Sequence, residues 1–186
     1  MKRSIVLILI VVSFTWGAAK ADGQDVSEKQ KFARIASDYI ATLDNDYVKQ
    51  RAFYTQNSHF KDPTSAQFGA MWDIKGGDNI ANFFENAGKD YGVLKVDYKI
   101  TNMLVEPPFV IANIDSEVTT CAVALNQPTK SYTGTIQLVM VLKINGSHVL
   151  ERTDYVDYSS AWQFVEELSP RLKEQKPDIR CLTNKT

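Results

Sequence analysis

The sequence predicts an α+β fold in which a curved antiparallel sheet wraps its apolar face around N-terminal helices. The hydrophobic period changes once along the chain, from three-and-four spacing in the first half to alternation in the second. A single Asp-Pro step, Asp62-Pro63, also stands on a short aromatic-flanked segment between helical stretches. Proline cannot continue a central strand and biases the preceding residue to extended geometry, so the chain turns there and leaves Asp62 at a strand end.

The elements follow in order. Lys2 and Arg3 precede an apolar run from Ile5 to Gly17 that ends in Ala19-Lys20-Ala21, the pattern of a secretory signal peptide cleaved after Ala21. The run is shorter than the roughly 20 residues that span a bilayer, so no stable membrane anchor is expected. From Ser27 to about Leu43, the residues Phe32, Ile35, Ala36, Tyr39, Ile40 and Leu43 form one face of a helix. Asp44-Asn45-Asp46 ends it or caps a second, short helix carrying Tyr47, Val48, Ala52 and Phe53. A third helix starts near Gly77-Asp78, with Asp78 as N-cap, and buries Ile80, Phe83 and Phe84.

Strands are expected over Val93–Val105, Phe109–Leu125, Ser131–Ile144 and His148–Val156, with Asn145-Gly146-Ser147 as a hairpin between the last two. Ile136, Leu138, Met140, Leu142 and Ile144 alternate with more polar neighbours, which gives that strand one wholly apolar face. Trp162, Phe164, Val165 and Leu168 suggest a terminal helix. One domain is therefore expected over 22–170, followed by a polar tail over 171–186.

Charge and composition exclude several partners. Removing Lys2, Arg3 and Lys20 from the 21 basic residues leaves 18 against 22 acidic ones, with no basic stripe, so neither nucleic acid nor an anionic membrane surface is expected to bind. Export would let Cys121 and Cys181 form a disulfide that pins the tail to the sheet, the alternative being two unpaired thiols. Two cysteines and the distant His59 and His148 make no zinc spacing, so no metal and no cofactor are expected.

Helices followed by a meander, with Asp-Pro between the second and third, resemble the superfamily of nuclear transport factor 2, ketosteroid isomerase, SnoaL-type polyketide cyclases and limonene epoxide hydrolase. The resemblance rests on Tyr39-Ile40-Ala41-Thr42-Leu43, Phe53-Tyr54-Thr55-Gln56-Asn57, Phe60-Lys61-Asp62-Pro63, Gly77-Asp78-Asn79-Ile80-Ala81-Asn82-Phe83-Phe84 and Arg152-Thr153-Asp154-Tyr155-Val156-Asp157. It covers roughly Gln30 to Phe164 and implies a conical barrel open at one end.

Carried over residue by residue, Asp62 falls where ketosteroid isomerase keeps its proton-shuttling aspartate, and Tyr39 where it keeps the tyrosine that donates to the developing oxyanion. Met140 falls at the family's third, acidic position and cannot donate. The epoxide hydrolase resemblance places Asp154 at an acidic residue of that triad, but Thr119 and Cys121 at its other two positions, and Phe60 and Asp62 at its water-positioning pair. Phe60, Trp72, Phe84, Leu138 and Met140 would then line a pocket for a small hydrophobic molecule.

Plainer readings stand beside these. Tyr39 also fits as a core residue, Asp62 as a turn residue capping backbone N–H groups, and His59 as a solvated side chain. Phe68, Met71 and Trp72 fit either a lid or packing against the first helix. Asp154 is expected inside and Asp157 outside, capping the final helix. Two function classes remain open: a noncatalytic binding module, secreted or periplasmic and able to form a homodimer through Gln137, Val139 and Val141, or an acid/base enzyme using Asp62, Tyr39 and Asp154.

Overall fold

Phe32, Ala36, Tyr39, Ile40 and Leu43 are the apolar residues that helix α1 (Ala18–Ile40) and the turn after it bury, as their spacing requires. The structure, a computed structural model, describes residues 18–44, 46–69, 71–90, 93–121 and 131–159. The expected leader run, the terminal helix and Cys181 lie outside them. Helix α1 begins nine residues before the expected Ser27, because Ala18, Ala19, Lys20 and Ala21 are strong helix formers. It therefore runs through Ala21, the expected cleavage point. Helix α2 (Tyr47–Ala52) starts at Asp46, whose carboxylate accepts from Lys49 N–H.

The sheet has six strands: β1 (His59–Asp62), β2 (Trp72–Lys75), β3 (Val93–Glu106), β4 (Phe109–Cys121), β5 (Ser131–Asn145) and β6 (His148–Val156). Their spatial order is β2-β1-β6-β5-β4-β3. Four strands fall where alternation predicts them, with Leu125 of the expected second strand outside the described residues. The short strands β1 and β2 are additions. Four residues carry too few side chains to establish a period, so Trp72 sits on an edge strand where a loop was expected. One pairing also departs from the antiparallel expectation, since β1 runs parallel to β6, with Phe60 opposite Arg152.

Helix α3 (Gly77–Asp90) enters from Gly76, whose φ of 89° only glycine adopts freely. This places Asp78 inside the first turn instead of at the expected N-cap, where it pairs with Arg51 at 2.5 Å. The concave sheet face closes on α1 and α3 through Val110, Ala112 and Ile114 from β4 and Leu138, Met140, Leu142 and Ile144 from β5.

Two irregularities tune which side chains reach this core. A register shift between Ile100 and Asn102 lets Ile100, Met103 and Val105 all pack inward. A second, between Lys143 and Ile144, turns both Val149 and Arg152 to the inside although three positions separate them.

Gly77 is fixed by space. A Cβ there would lie 2.6 Å from Tyr54 Cβ and 2.8 Å from the Thr55 carbonyl oxygen, while its N–H donates to that same carbonyl at 2.9 Å. Gly77→Ala is expected to cost about 1–3 kcal/mol, read as a lowered midpoint in urea unfolding. An unchanged midpoint would show that the approach of α3 to the Tyr54 loop is slack.

Candidate functional site

Arg152 and Asp154 lie two residues apart on β6, so both project from the same inner face, and both are buried. Arg152 Nε donates to both Asp154 oxygens at 2.9 and 3.0 Å, and Nη2 donates to Oδ2 at 2.5 Å. The guanidinium plane is covered by aromatic rings, its centre 4.6 Å from Phe84, 5.3 Å from Phe60 and 5.9 Å from Tyr39. Phe60 comes from β1, Phe84 from α3 and Tyr39 from α1, so three elements converge on one cation.

From the pair a polar chain runs into the helices. Arg152 Nη1 donates to the Tyr39 hydroxyl at 3.0 Å, the Tyr39 and Tyr54 hydroxyls are 2.6 Å apart, and Gln50 Nε2 donates to Tyr54 at 3.2 Å. Both phenol oxygens thus already accept one hydrogen bond. The contact between them holds one of the two phenolic protons, and turning the Gln50 amide about its axis would let its oxygen accept the other from Tyr54. Gln50 Oε1, at the far end, is buried without a partner.

Burial sets the ionisation of this chain. It raises the Tyr39 phenol above its usual range, with Arg152 opposing, and raises Tyr54 well above it. Tyr98, from β3, is pushed up to about 12 by the same desolvation. All three phenols therefore remain neutral donors at physiological pH. Burial also raises the Asp154 carboxyl, with Arg152 opposing and the charge of Asp62 adding to the rise. For Arg152 burial works in the lowering direction, but Asp154 and the two phenol oxygens outweigh it and lift the guanidinium well above its usual value. A neutral donor beside a fixed cation in a dry, aromatic setting is suited to hold an acceptor oxygen or developing negative charge.

Asp62 occupies the strand end expected for it, but its carboxylate is already engaged. Oδ1 accepts from the Thr64 hydroxyl at 2.5 Å and from Ser65 N–H at 3.0 Å, and Oδ2 accepts from the Tyr158 hydroxyl at 2.5 Å. Asp62 caps the short 3₁₀ helix Pro63–Phe68, and Pro63, which lacks an N–H, stands in its first turn. Thr64 Oγ1 also accepts from Val156 N–H, so the cap ties β1 to the end of β6.

The other expected residues distribute around this centre. Trp72 stacks edge-on to Phe83 at 5.2 Å, and Phe84 meets Phe60 at 4.8 Å. Met140 faces Asp154 across the β5–β6 pair, and Leu138 lies opposite Val156. His59 is not simply solvated, because it is partly buried and bonds Asp73 across β2 at 2.5 Å. Asp157 lies on the exposed side and accepts from Ser159 N–H and Oγ, as the alternation from Asp154 requires. Arg152, Tyr54, Gln50 and Tyr98 are the site residues absent from the sequence expectation. The Arg-x-Asp spacing on a strand was the signal for the first of them.

The ion pair separates structural from functional roles. Arg152→Met or Asp154→Leu alone should cost about 3–5 kcal/mol by leaving one buried charge unmatched, whereas the double substitution should recover most of that loss. Thermal unfolding of the three variants measures this. A double variant no more stable than either single one would show that the pair is not self-contained.

No protein-family model and no curated protein matches the chain. Solved structures do. A protein of Shewanella putrefaciens described as a SnoaL-like polyketide cyclase is 26% identical, with a TM-score of 0.60, the match covering 78% of this chain and 98% of that one. An epoxide hydrolase of the limonene type from M. tuberculosis is 14% identical, with a TM-score of 0.58 over 78% of this chain and 97% of that one. TerC, co-crystallised with polyporic acid, is 12% identical, with a TM-score of 0.58 over 72% and 97%. With the six-stranded curved sheet folded over α1 and α3, these likenesses establish that the chain has the cone fold of the nuclear transport factor 2-like superfamily.

Proposed function

We propose that the protein is an exported binding module whose cone holds a small, mainly apolar molecule by one acceptor oxygen. The observation that carries this reading is the pair of buried phenols, Tyr39 and Tyr54, held against the Arg152 guanidinium among aromatic rings. The ligand oxygen would accept from this phenol–guanidinium centre, and Phe60, Trp72, Phe84, Leu138 and Met140 would contact the apolar body. That TerC, with the same fold, was crystallised with polyporic acid agrees with small-molecule binding. Export rests on the leader expected over residues 1–21.

The acid/base alternative assigns Asp62 the base. Three donors on its two oxygens favour a fastening role instead, since a base must release such contacts to take a proton.

Native mass spectrometry of the protein purified from its own host is expected to retain one such molecule. Tyr39→Phe should weaken its affinity by roughly 5- to 150-fold, the range for a lost buried hydrogen bond worth about 1–3 kcal/mol. Asp62→Asn should lower thermal stability and change that affinity by no more than about twofold. A turnover activity lost in Asp62→Asn, with ligand affinity intact, would replace this reading with the acid/base one.

A further inference from the structure

Helix α2 inverts the usual burial pattern. Gln50 is 1% exposed, while Val48, two positions earlier and so on the opposite side of the helix, is 84% exposed. Arg51 holds the helix in this rotation, donating to Asp78 at 2.5 Å and to Asn82 at 2.9 Å, one turn apart on α3. Burying a glutamine while exposing a valine breaks the local rule, and such breaks concentrate where a side chain has a task besides packing. Among the described residues Gln50 Oε1 is also the buried side-chain atom left without a hydrogen bond.

Gln50 ends the chain that starts at Arg152, and an amide can meet a phenol with either end. With Nε2 towards Tyr54, at 3.2 Å, Tyr54 donates to Tyr39 across 2.6 Å. Tyr39 already accepts from Arg152 at 3.0 Å, so its own proton must then leave the chain. With Oε1 towards Tyr54 the order reverses: Tyr39 donates to Tyr54, Tyr54 donates to Gln50, and both phenolic protons stay inside. Either orientation leaves one end of the amide unpartnered, but the first also asks for an outside acceptor. The second is therefore the more stable without a ligand, and an acceptor oxygen at Tyr39 restores the first. Binding then exchanges one unpartnered end of Gln50 for the other.

We propose that Gln50 is a positioning residue that sets the proton direction of the Tyr39–Tyr54 pair and so competes with the ligand: its amide accepts from Tyr54 when no ligand is bound and turns to donate when a ligand oxygen accepts from Tyr39. This rests on the reading of Tyr39 as the donor to the ligand. It makes a residue one phenol removed from the ligand a restraint on affinity. Without the Gln50 acceptor, binding would relieve a buried unpartnered phenolic proton instead of exchanging one unpartnered atom for another.

Calorimetric titration of the full chain with 2-acetylnaphthalene, an apolar body bearing one uncharged ketone oxygen, tests this together with NMR of the tyrosine hydroxyl protons. Gln50→Leu and Tyr54→Phe each remove the competing acceptor route, so both should bind the probe roughly fivefold or more tighter than the parent, while Tyr39→Phe binds it more weakly. A residue that served packing alone would leave affinity unchanged or lower it. In the ligand-free parent the Tyr54 hydroxyl proton should give its strongest side-chain Overhauser effect to Gln50, and in the probe complex to the Tyr39 ring. Weakened binding in Tyr39→Phe with no gain in Gln50→Leu and Tyr54→Phe overturns the role of Gln50 and leaves the reading of Tyr39 standing. A Tyr54 proton already directed at Tyr39 in the ligand-free protein does the same. A parent that does not bind the probe, or that binds it no better than Tyr39→Phe, overturns both.

Discussion

A guanidinium and a carboxylate taken out of water on the inner face of one strand set the terms for everything packed against them. Desolvating each costs several kcal/mol, and their attraction offsets that only where the remaining donors and acceptors are filled. Asp154 has both oxygens filled by Arg152, and the aromatic faces of Phe84 and Phe60 cover the guanidinium plane. One donor still points at α1, and this is why position 39 needs an oxygen and not only an apolar ring. Tyr39 in turn needs Tyr54, and Tyr54 is met by Gln50. A single buried cation thereby dictates polar residues on two helices that would otherwise be free to bury aliphatic ones.

The placement of that cation depends on a local irregularity. Val149 and Arg152 are three positions apart, and a regular strand would send them to opposite faces. The register shift opposite Lys143 and Ile144 absorbs one residue and turns both inward. Its counterpart in β3 does the same for Ile100 and Met103. These shifts bend the sheet and choose the side chains that line its concave face. The parallel pairing of β1 with β6 then brings Phe60 beside Arg152, joining two segments more than 80 residues apart.

Much of this was legible in the residues and some of it was not. The long strands and the buried face of α1 announce themselves because each repeats its period over ten residues or more. The inward course of Asp154 and the outward course of Asp157 follow from parity alone. β1 and β2 escaped because four residues cannot display alternation, and their existence is decided by pairing partners distant in the chain. Arg152 escaped for a different reason. A charged residue near a strand centre reads as solvated; its spacing from Asp154 puts the two on one face, but the bulge that turns that face and Val149 inward together appears only in three dimensions. Gln50 and Tyr54 are legible only once Arg152 is inside.

Asp62 shows how one residue can satisfy two readings that differ in consequence. An aspartate before proline at a strand end suits both a pocket base and a cap, since each needs the carboxylate turned back towards the following backbone. What separates them is the state of its lone pairs, and in this fold they are occupied by Thr64, Ser65 and Tyr158. The polar centre has accordingly moved to β6, whose inner face holds Arg152 and Asp154 while its outer face presents Thr153, Tyr155 and Asp157. Slipping β6 by one residue would exchange the two sets, burying Thr153 and Tyr155 and sending the ion pair into water. The register of this strand is therefore specified from both sides. Asp62 contributes to that specification as a clasp: Thr64, held by its carboxylate, accepts the Val156 N–H, and Tyr158 donates to its free oxygen, so the end of β6 is fastened where the two faces part.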